Sequence, residues 1–333
     1  GQNAQIKATN LQNEGSIQSG QSVELDVNDR LSGERGQVLA GQNLQAQAGS
    51  VALGANAVWS ANGQLDLQSK GEVVNAGVLQ SQAALNLKAA SLNNNSGKIL
   101  SNDAVGLTVQ DRISNQSGAV FAQKQLTIQS TEVVNAHGQI ASGQGAQLDV
   151  AKLNNTDGLI NAQGNLRVQA QDLLNARGEL SGTAALELSS TNVHNSLGTL
   201  ASACDLAIRA VALENGQGGI RTHQALSITA KQLDNQQGQV SSLGGLNLDV
   251  QGALHNQSGQ IATAGHLVAS AAALNNQAGQ LLSHQSLTLT AGALDNNGGL
   301  INAAQVVQAK IDATLINTQG RLFSGGTLSL TAS

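Results

Sequence analysis

The short pattern Asn-x-x-Gly recurs along this chain at intervals of 20 or 21 residues, and no other feature of the sequence constrains the fold as strongly. A fixed period of this length is the signature of a repeat architecture, in which each repeat is one supersecondary unit. Twelve copies share one phase, and their Asn residues are Asn94, Asn115, Asn135, Asn155, Asn175, Asn195, Asn215, Asn235, Asn256, Asn276, Asn296 and Asn317. Upstream the pattern weakens: Asn13 and Asn75 fit a shortened Asn-x-Gly, and Gly33 and Gly54 stand where Asn is expected.

Apolar residues keep the same phase and alternate with polar residues. In the repeat around Asn215, Leu213 precedes the Asn by two residues, Ile220 follows it by five, and Leu226 and Ile228 follow by eleven and thirteen. Alternation with a period of two is typical of β-strands. The pattern predicts three short strands per repeat, broken at the Gly and at stretches rich in Gly, Gln and Asn. A leucine-rich repeat has a similar period, but it has a denser leucine pattern followed by a helix-like segment.

These periods predict an all-β fold, a right-handed parallel β-helix (solenoid) of about 16 coils of about 20 residues, with three short strands per coil. Each strand would pair with the same strand of the next coil, about 4.8 Å away. The right-handed winding follows from the crossover rule for parallel strands. One coil alone cannot offset the entropy of ordering its residues, so coils are stable only when stacked. We expect residues 1–333 to form a single continuous solenoid, less regular over 1–93 and regular over 94–333.

Composition supports an ordered, uncharged scaffold. Apolar residues make up 40% of the chain and the net charge is only −5, whereas disordered chains combine low hydrophobicity with high net charge. The sixteen Lys and Arg residues are scattered, which gives no reason to expect nucleic-acid binding. The apolar runs are too short to span a membrane. The single cysteine, Cys204, cannot form an internal disulfide.

The repeated Asn is expected to be structural, with each side-chain amide bonded to the Asn above and below it in a ladder. The Gly three residues later is expected to adopt a positive φ. Asn115, Asn154 and Asn256 formally match the Asn-x-Ser/Thr glycosylation pattern, but Asn115 and Asn256 belong to the inward-facing ladder.

Two acids raise the possibility of a polysaccharide-cleaving site. Glu214 and Asp234 each precede a ladder Asn in adjacent coils, so their side chains are expected about 5 Å apart, as in a retaining glycosidase. No aromatic residue accompanies them to stack on a sugar, and His194 and His255 occupy the same phase in the flanking coils. We therefore favour two solvated acids on a strand face.

No metal, cofactor or catalytic site is predicted. His223 and His284 share a phase but lie three coils apart, roughly 14 Å. The calcium-binding Gly-Gly-x-Gly-x-Asp repeat is absent from the sequence. Cys204 is interpreted as a lone thiol, since no His or acid motif accompanies it. We do not expect an enzyme.

The only aromatic residues are Trp59, Phe121 and Phe323. Trp59 aligns with the apolar position five residues after the Asn site, in a coil that has lost the Asn. A core position is favoured, and a contact with a partner is the weaker alternative. The first four coils, up to about Gly77, are the least regular and are where a partner site is expected.

Several segments resemble the filamentous haemagglutinin repeat, whose general shape is Leu-x-Asn-x-x-Gly followed by alternating apolar residues. The resemblance covers essentially all 333 residues, more weakly before Asn94, and the segments that carry it best are Leu233-Asp-Asn-Gln-Gln-Gly238, Leu274-Asn-Asn-Gln-Ala-Gly279 and Gly245-Leu-Asn-Leu-Asp-Val250. It implies the shaft of a large bacterial exoprotein of the two-partner secretion type. That class includes adhesins and the toxin-delivery proteins of contact-dependent growth inhibition, and it implies export through an outer-membrane transporter to the cell surface. Arg177-Gly-Glu only approaches an integrin-binding Arg-Gly-Asp motif.

The sequence therefore predicts a structural shaft that projects an adhesive or toxin-delivery module toward other cells. Contacts with a target-cell receptor or host surface would be made by other regions. An alternative is a receptor- or glycan-binding face on the solenoid itself, and a polysaccharide-cleaving β-helix enzyme is the least favoured function.

Overall fold

The structure is a computed structural model that describes residues 2–332, and no helix occurs among these residues. The chain divides into two compact units, Gly1–Ala170 and Gln171–Ser333. Each unit is a parallel β-solenoid, and the chain has about 16 turns spaced about 20 residues apart, which confirms the predicted fold class. The handedness and the continuity of a single solenoid over 1–333 stay predictions.

Every coil contributes to two parallel sheets, called sheet A and sheet B in each unit. Sheet A of the first unit contains Ala4–Ala8, Leu11–Gln12, Val23–Gly33, Leu44–Leu53, Leu65–Ser69, Glu72–Asn75, Leu85–Ala89, Ser91–Asn93, Val105–Val109, Arg112–Ser114, Leu126–Val134 and Ala146–Asn154. Its sheet B contains Ser16–Ser19, Gln37–Ala40, Val58–Ala61, Val78–Ser81, Lys98–Ser101, Ala119–Ala122, Gln139–Ser142 and Leu159–Ala162. The strand Asn165–Leu174 includes the boundary between the units.

The second unit repeats this arrangement. Its sheet A contains Ala185–His194, Asp205–Glu214, Leu226–Asp234, Leu246–His255, Leu267–Asn275, Ser286–Asp295, Val306–Ile316 and Thr327–Ala332. Its sheet B contains Glu179–Gly182, Thr199–Ser202, Gly219–Thr222, Gln239–Ser242, Gln260–Thr263, Gln280–Ser283, Leu300–Ala303 and Arg321–Ser324.

The three strand segments of a coil are separate only in part of the first unit. One coil there contains Leu65–Ser69, Glu72–Asn75 and Val78–Ser81 as distinct strands. In most other coils the first two segments continue into one strand of sheet A, as in the nine residues of Leu226–Asp234. The extra residue of a 21-residue coil falls between these two segments. Ala230 pairs with Val250, 20 residues on, whereas Leu233 pairs with Leu254, 21 residues on.

Register places like residues above one another and so builds the core. Leu206 pairs with Leu226, which pairs with Leu246, and all three side chains are buried. Burial of an aliphatic side chain contributes about 1.5–3 kcal/mol relative to exposure. Successive coils of a unit therefore stabilise one another through continuous apolar columns.

Trp59 lies in the core of the first unit. Its strand pairs it with Val38 in the coil before and Leu79 in the coil after, and only 2% of its surface is exposed. Because the strand alternation turns the indole inward, Trp59 offers no surface to a partner, which corrects that weaker expectation.

Candidate functional site: the asparagine corner

The repeated Asn residues form a column of buried amides at one corner of each unit. In the second unit, Asn215 Nδ2 donates to Asn235 Oδ1 at 2.7 Å, and Asn215 Oδ1 accepts from Asn195 Nδ2 at 2.7 Å. The same Nδ2 also donates to the carbonyl of Gly218 at 3.2 Å, within its own coil. Asn215 is 0% exposed, so its polar atoms are satisfied only by this network.

Within each unit the donor direction is uniform. In the second unit each Asn from Asn175 to Asn296 donates to the Asn of the next coil, ending at the exposed Asn317. In the first unit the same bonds run from Asn75 through Asn94, Asn115 and Asn135 to Asn155. These columns are referred to below as the ladder. Hydrogen bonds aligned in one direction polarise one another, so each bond strengthens the next.

Asn75 is the ladder member that the strict Asn-x-x-Gly pattern missed. Its amide donates to Asn94 Oδ1 at 2.7 Å and it is 0% exposed. The available signal was its shortened Asn75-Ala-Gly77 motif. Asn75 Oδ1 is buried and has no hydrogen-bond partner, because the preceding coil supplies no amide donor.

The positive φ lies one residue earlier than predicted. It falls on the residue just before the Gly, as at Leu197 (φ 59°), Gln217 (φ 57°) and Ala278 (φ 52°). In the coil around Asn215, the amide of Gly218 donates to the carbonyl of Asn215 at 3.0 Å, which closes a four-residue turn. A positive φ at the third residue of such a turn is the type II arrangement. The expectation that the Gly itself adopts a positive φ is therefore wrong for this corner.

The Gly is required because two coils approach closely there. A Cβ on Gly218 would lie 2.1 Å from the carbonyl oxygen of Asn195 and 2.6 Å from Asn215 Oδ1. The equivalent contacts recur at Gly138 and Gly238, with carbonyl distances of 2.1 and 2.2 Å. The Gly makes room for the ladder rather than for a backbone conformation.

In the first coils the corner is built differently. The register pairs Asn75 with Leu53, and Leu53 with Gly33, so the ladder position in that coil is Leu53 and not Gly54 as the sequence pattern suggested. The carboxylate of Glu14 takes over part of the bonding. It accepts the backbone amides of Glu34 at 3.2 Å and Arg35 at 3.3 Å. Because of the Glu34 amide first, and then the Gln12 side chain, the pKa of Glu14 is lowered.

A cavity of about 620 Å³ lies over this irregular corner. Its lining includes Gln12, Glu14, Arg30, Gly33, Glu34 and Leu53. The residues are polar or small, and none is aromatic. The irregular coils thus contain a recess where the regular coils are closed by the Asn turn.

A second buried polar column, which sequence reasoning missed, lies at the corner after sheet B. The hydroxyls of Ser242 and Thr263 are 2.9 Å apart in adjacent coils, and both side chains are buried. Thr263 Oγ1 also accepts the amide of Gly265 at 3.1 Å. The signal was present as a small residue, Ser, Thr, Ala or Gly, seven positions after each ladder Asn.

The two acids do not form a catalytic pair. Their residues are paired in adjacent strands, but Glu214 Oε2 lies 2.6 Å from His194 Nδ1, whereas Asp234 Oδ1 accepts the amide of Gln236 at 2.9 Å. Each carboxylate therefore has its own partner. Asp234 helps to hold the turn that follows it, a usual task of Asp before a turn.

The other singled-out residues have no chemistry in common. No group of three or more His, Cys, Asp or Glu residues able to hold a metal ion occurs within residues 2–332. Cys204 is a free, half-buried thiol, and His223 and His284 are exposed. Asn115 and Asn256 are 0% exposed, so their side chains are inaccessible to a glycosyltransferase. Asn154 uses its Oδ1 to accept the amide of Thr156 at 3.0 Å.

Comparison with known proteins gives a family. None of the described residues lies in an apolar helix long enough to cross a membrane. No curated protein and no solved structure matches the chain. The model of the haemagglutinin repeat matches five overlapping segments, residues 2–62, 43–117, 106–170, 146–258 and 247–333. Since these segments span nearly the whole sequence and the repeat phase agrees with the coils, this chain belongs to the haemagglutinin repeat family.

Proposed function

We propose that this chain is a structural shaft of a secreted bacterial cell-surface exoprotein, which holds an adhesive or toxin-delivery module away from the cell. The observation that carries the proposal is the ladder. Buried, fully bonded Asn residues recur in coil after coil of each unit, and their uniformity leaves little of the surface specialised. Repeats of this family build adhesin-like shafts of secreted proteins, which supports the same function.

The polar surface supports this proposal. The acids and histidines with a chemical interest are exposed, paired in ordinary ways or isolated, as for Glu214 with His194. Ion pairs on the surface contribute little to stability, typically up to about 1 kcal/mol. The stability of the units therefore rests on stacked backbone ladders and apolar columns. Export through an outer-membrane two-partner transporter is part of the proposal, since folding coil by coil suits a chain that emerges as an extended strand.

An in-phase deletion in the full-length exoprotein tests the shaft. Removing residues 196–235 joins Asn195 to Gln236, preserves the repeat phase and shortens a stack of coils by roughly 10 Å, at about 4.8 Å per coil. We expect export and target-cell binding to persist. The matched control removes residues 196–225, which breaks the phase and should abolish folding. Loss of target binding by a folded, exported in-phase deletion would contradict the proposal.

A second candidate function is direct contact with a receptor or glycan by the first unit. The cavity beside Glu14, Arg30 and Glu34 favours it, because this is the one place where the repeat pattern gives way to a polar recess. The double variant Arg30→Ala/Glu34→Ala should then weaken adhesion of the exoprotein to target cells, whereas Arg209→Ala/Asp249→Ala, on exposed strand positions of the second unit, should not.

A polysaccharide-cleaving activity stays the least favoured function. The separate partners of Glu214 and Asp234 argue against a paired-acid mechanism. Incubation of the purified chain with polysaccharides, followed by assay for reducing ends, should show no product, and product that disappears in Glu214→Gln would revive the enzyme.

A further inference from the structure

The corner of the first unit changes character between Leu53 and Asn75. On one side lie Asn13, Gly33 and Leu53, which the register places in the same column as the later ladder Asn residues. Gly33 and Leu53 have no side-chain amide, so no ladder bond can form between these coils. On the other side the ladder is continuous from Asn75 to Asn155.

The turn at this corner is also irregular on the same side. From the column residue to the residue before sheet B there are two steps after Asn13, three after Gly33 and four after Leu53. From Asn94 onward the number of steps is always three. Each irregular turn therefore fits its neighbours less closely than one regular turn fits the next.

Two further observations fall at the same place. The buried Oδ1 of Asn75 has no partner, and it is the free acceptor end of the ladder, on the side of the Leu53 coil. The cavity of about 620 Å³ lies over the corner and is lined in part by Gly33, Leu53 and Gly54. Solvent thus reaches the corner on the ladder-free side.

We propose that residues 4–53, called the N-terminal segment, open and reclose as a unit while the ladder coils of the first unit stay folded. In stacked-coil proteins, stability is approximately the sum of coil terms and interfaces between neighbouring coils. Backbone pairing of both sheets continues across the boundary, as between Leu44–Leu53 and Leu65–Ser69. The amide bond at the corner is missing there, so this interface is the weakest of the first unit and is where a cooperative unit ends.

Opening has a structural consequence. The strand Leu65–Ser69 pairs with Leu44–Leu53 on one side and with Leu85–Ala89 on the other. When the N-terminal segment opens, Leu65–Ser69 becomes an edge strand with free amides and carbonyls. Edge strands of this kind accept an added strand from a binding partner. The N-terminal segment thus covers a latent edge.

Hydrogen–deuterium exchange with mass spectrometry on the whole chain tests the proposal. Peptides from residues 4–53 should exchange at least about tenfold faster than peptides from residues 75–155, with a step between the two regions. A gradual change in protection from residue 4 onward, or equal protection on both sides of Asn75, would overturn it.

Two variants test whether the two regions open independently. Glu14→Ala removes the acceptor of the Glu34 and Arg35 amides and should accelerate exchange within residues 4–53 alone. Asn115→Ala should accelerate exchange in the ladder coils alone. The matched control is Glu24→Ala, another exposed acid of the N-terminal segment, whose carboxylate accepts only the Gln5 side chain and which should leave exchange unchanged. Equal acceleration on both sides of Asn75 by Glu14→Ala or Asn115→Ala would show a single cooperative body and overturn the proposal.

Discussion

Two adjacent glycines, Gly218 and Gly219, should respond oppositely to replacement by alanine. A Cβ at position 218 would lie 2.1 Å from the carbonyl oxygen of Asn195 and 2.6 Å from Asn215 Oδ1. A Cβ at position 219 would meet no heavy atom within 4 Å, and Gly219 has no positive φ. The pair therefore separates the loss of space between coils from the general effect of removing a glycine.

The structure sets the size of the effect. To restore a contact distance of 3.4 Å, the Gly218→Ala backbone must move about 1.3 Å from the Asn195 carbonyl. Such a shift disrupts the 2.7 Å ladder bond from Asn195 to Asn215. Overpacking costs about 1–3 kcal/mol, and a buried polar group left unsatisfied costs a further 1–3 kcal/mol. We expect Gly218→Ala to lower the free energy of unfolding by about 3–5 kcal/mol, and Gly219→Ala to leave it unchanged or raise it by about 0.4–1 kcal/mol.

Amide hydrogen exchange is the suitable assay, because a chain of many coils need not unfold in one step. Amides of Gly219–Thr222 and its neighbour strands should exchange about a hundredfold faster or more in Gly218→Ala, since each 1.4 kcal/mol is a factor of ten. Thermal melting followed by circular dichroism should show the same order of the two variants. Equal stability of Gly218→Ala and Gly219→Ala would refute the close-approach explanation.

Three further predictions concern the ladder and its irregular start. Asn215→Ala should destabilise more than Asn75→Ala, because Asn215 accepts a ladder bond and Asn75 does not; thermal melting compares them, and the reverse order would contradict the ladder geometry. Leu197→Gly should raise the melting temperature and Leu197→Val should lower it, because the positive φ of 59° is strained for leucine and worse for a β-branched residue. The folded-state pKa of Glu14 is depressed below its ordinary value of 4.5, so its stabilisation is present above the unfolded pKa and is lost as pH falls through the folded pKa. Exchange at the Glu34 and Arg35 amides, corrected for intrinsic rates, should therefore accelerate in acid, and Glu14→Gln should remove that acid dependence.

Prediction of the core from sequence succeeded wherever periodicity was local. The alternation around Leu226 and Ile228 identifies inward positions without knowledge of neighbouring coils, and both side chains are buried. The register then follows, because shifting a strand by one residue would turn every apolar side chain to solvent. The Asn column follows from the same phase.

Prediction failed where the outcome depends on turn length. Gly54 matched the Asn phase in sequence, yet Leu53 pairs with Asn75, because one corner turn is longer and the next strand takes up the difference. The sequence likewise showed Glu214 and Asp234 as neighbours but not that His194 bonds to Glu214. Such choices depend on side-chain geometry between coils, which a one-dimensional pattern does not contain.

The amino-acid sequence by itself determined the solenoid, its period, its inward faces and the Asn column, because alternation and recurrence are properties of residues read along one chain. Only the tertiary structure decided that the positive φ falls before the Gly, that Gly218 is needed for space, and that the ladder begins at Asn75 with an unpaired oxygen. The physical reason is the same in each case. These features are contacts between atoms about 20 residues apart in sequence and less than about 3 Å apart in space, and their positions exist only once one coil rests on another.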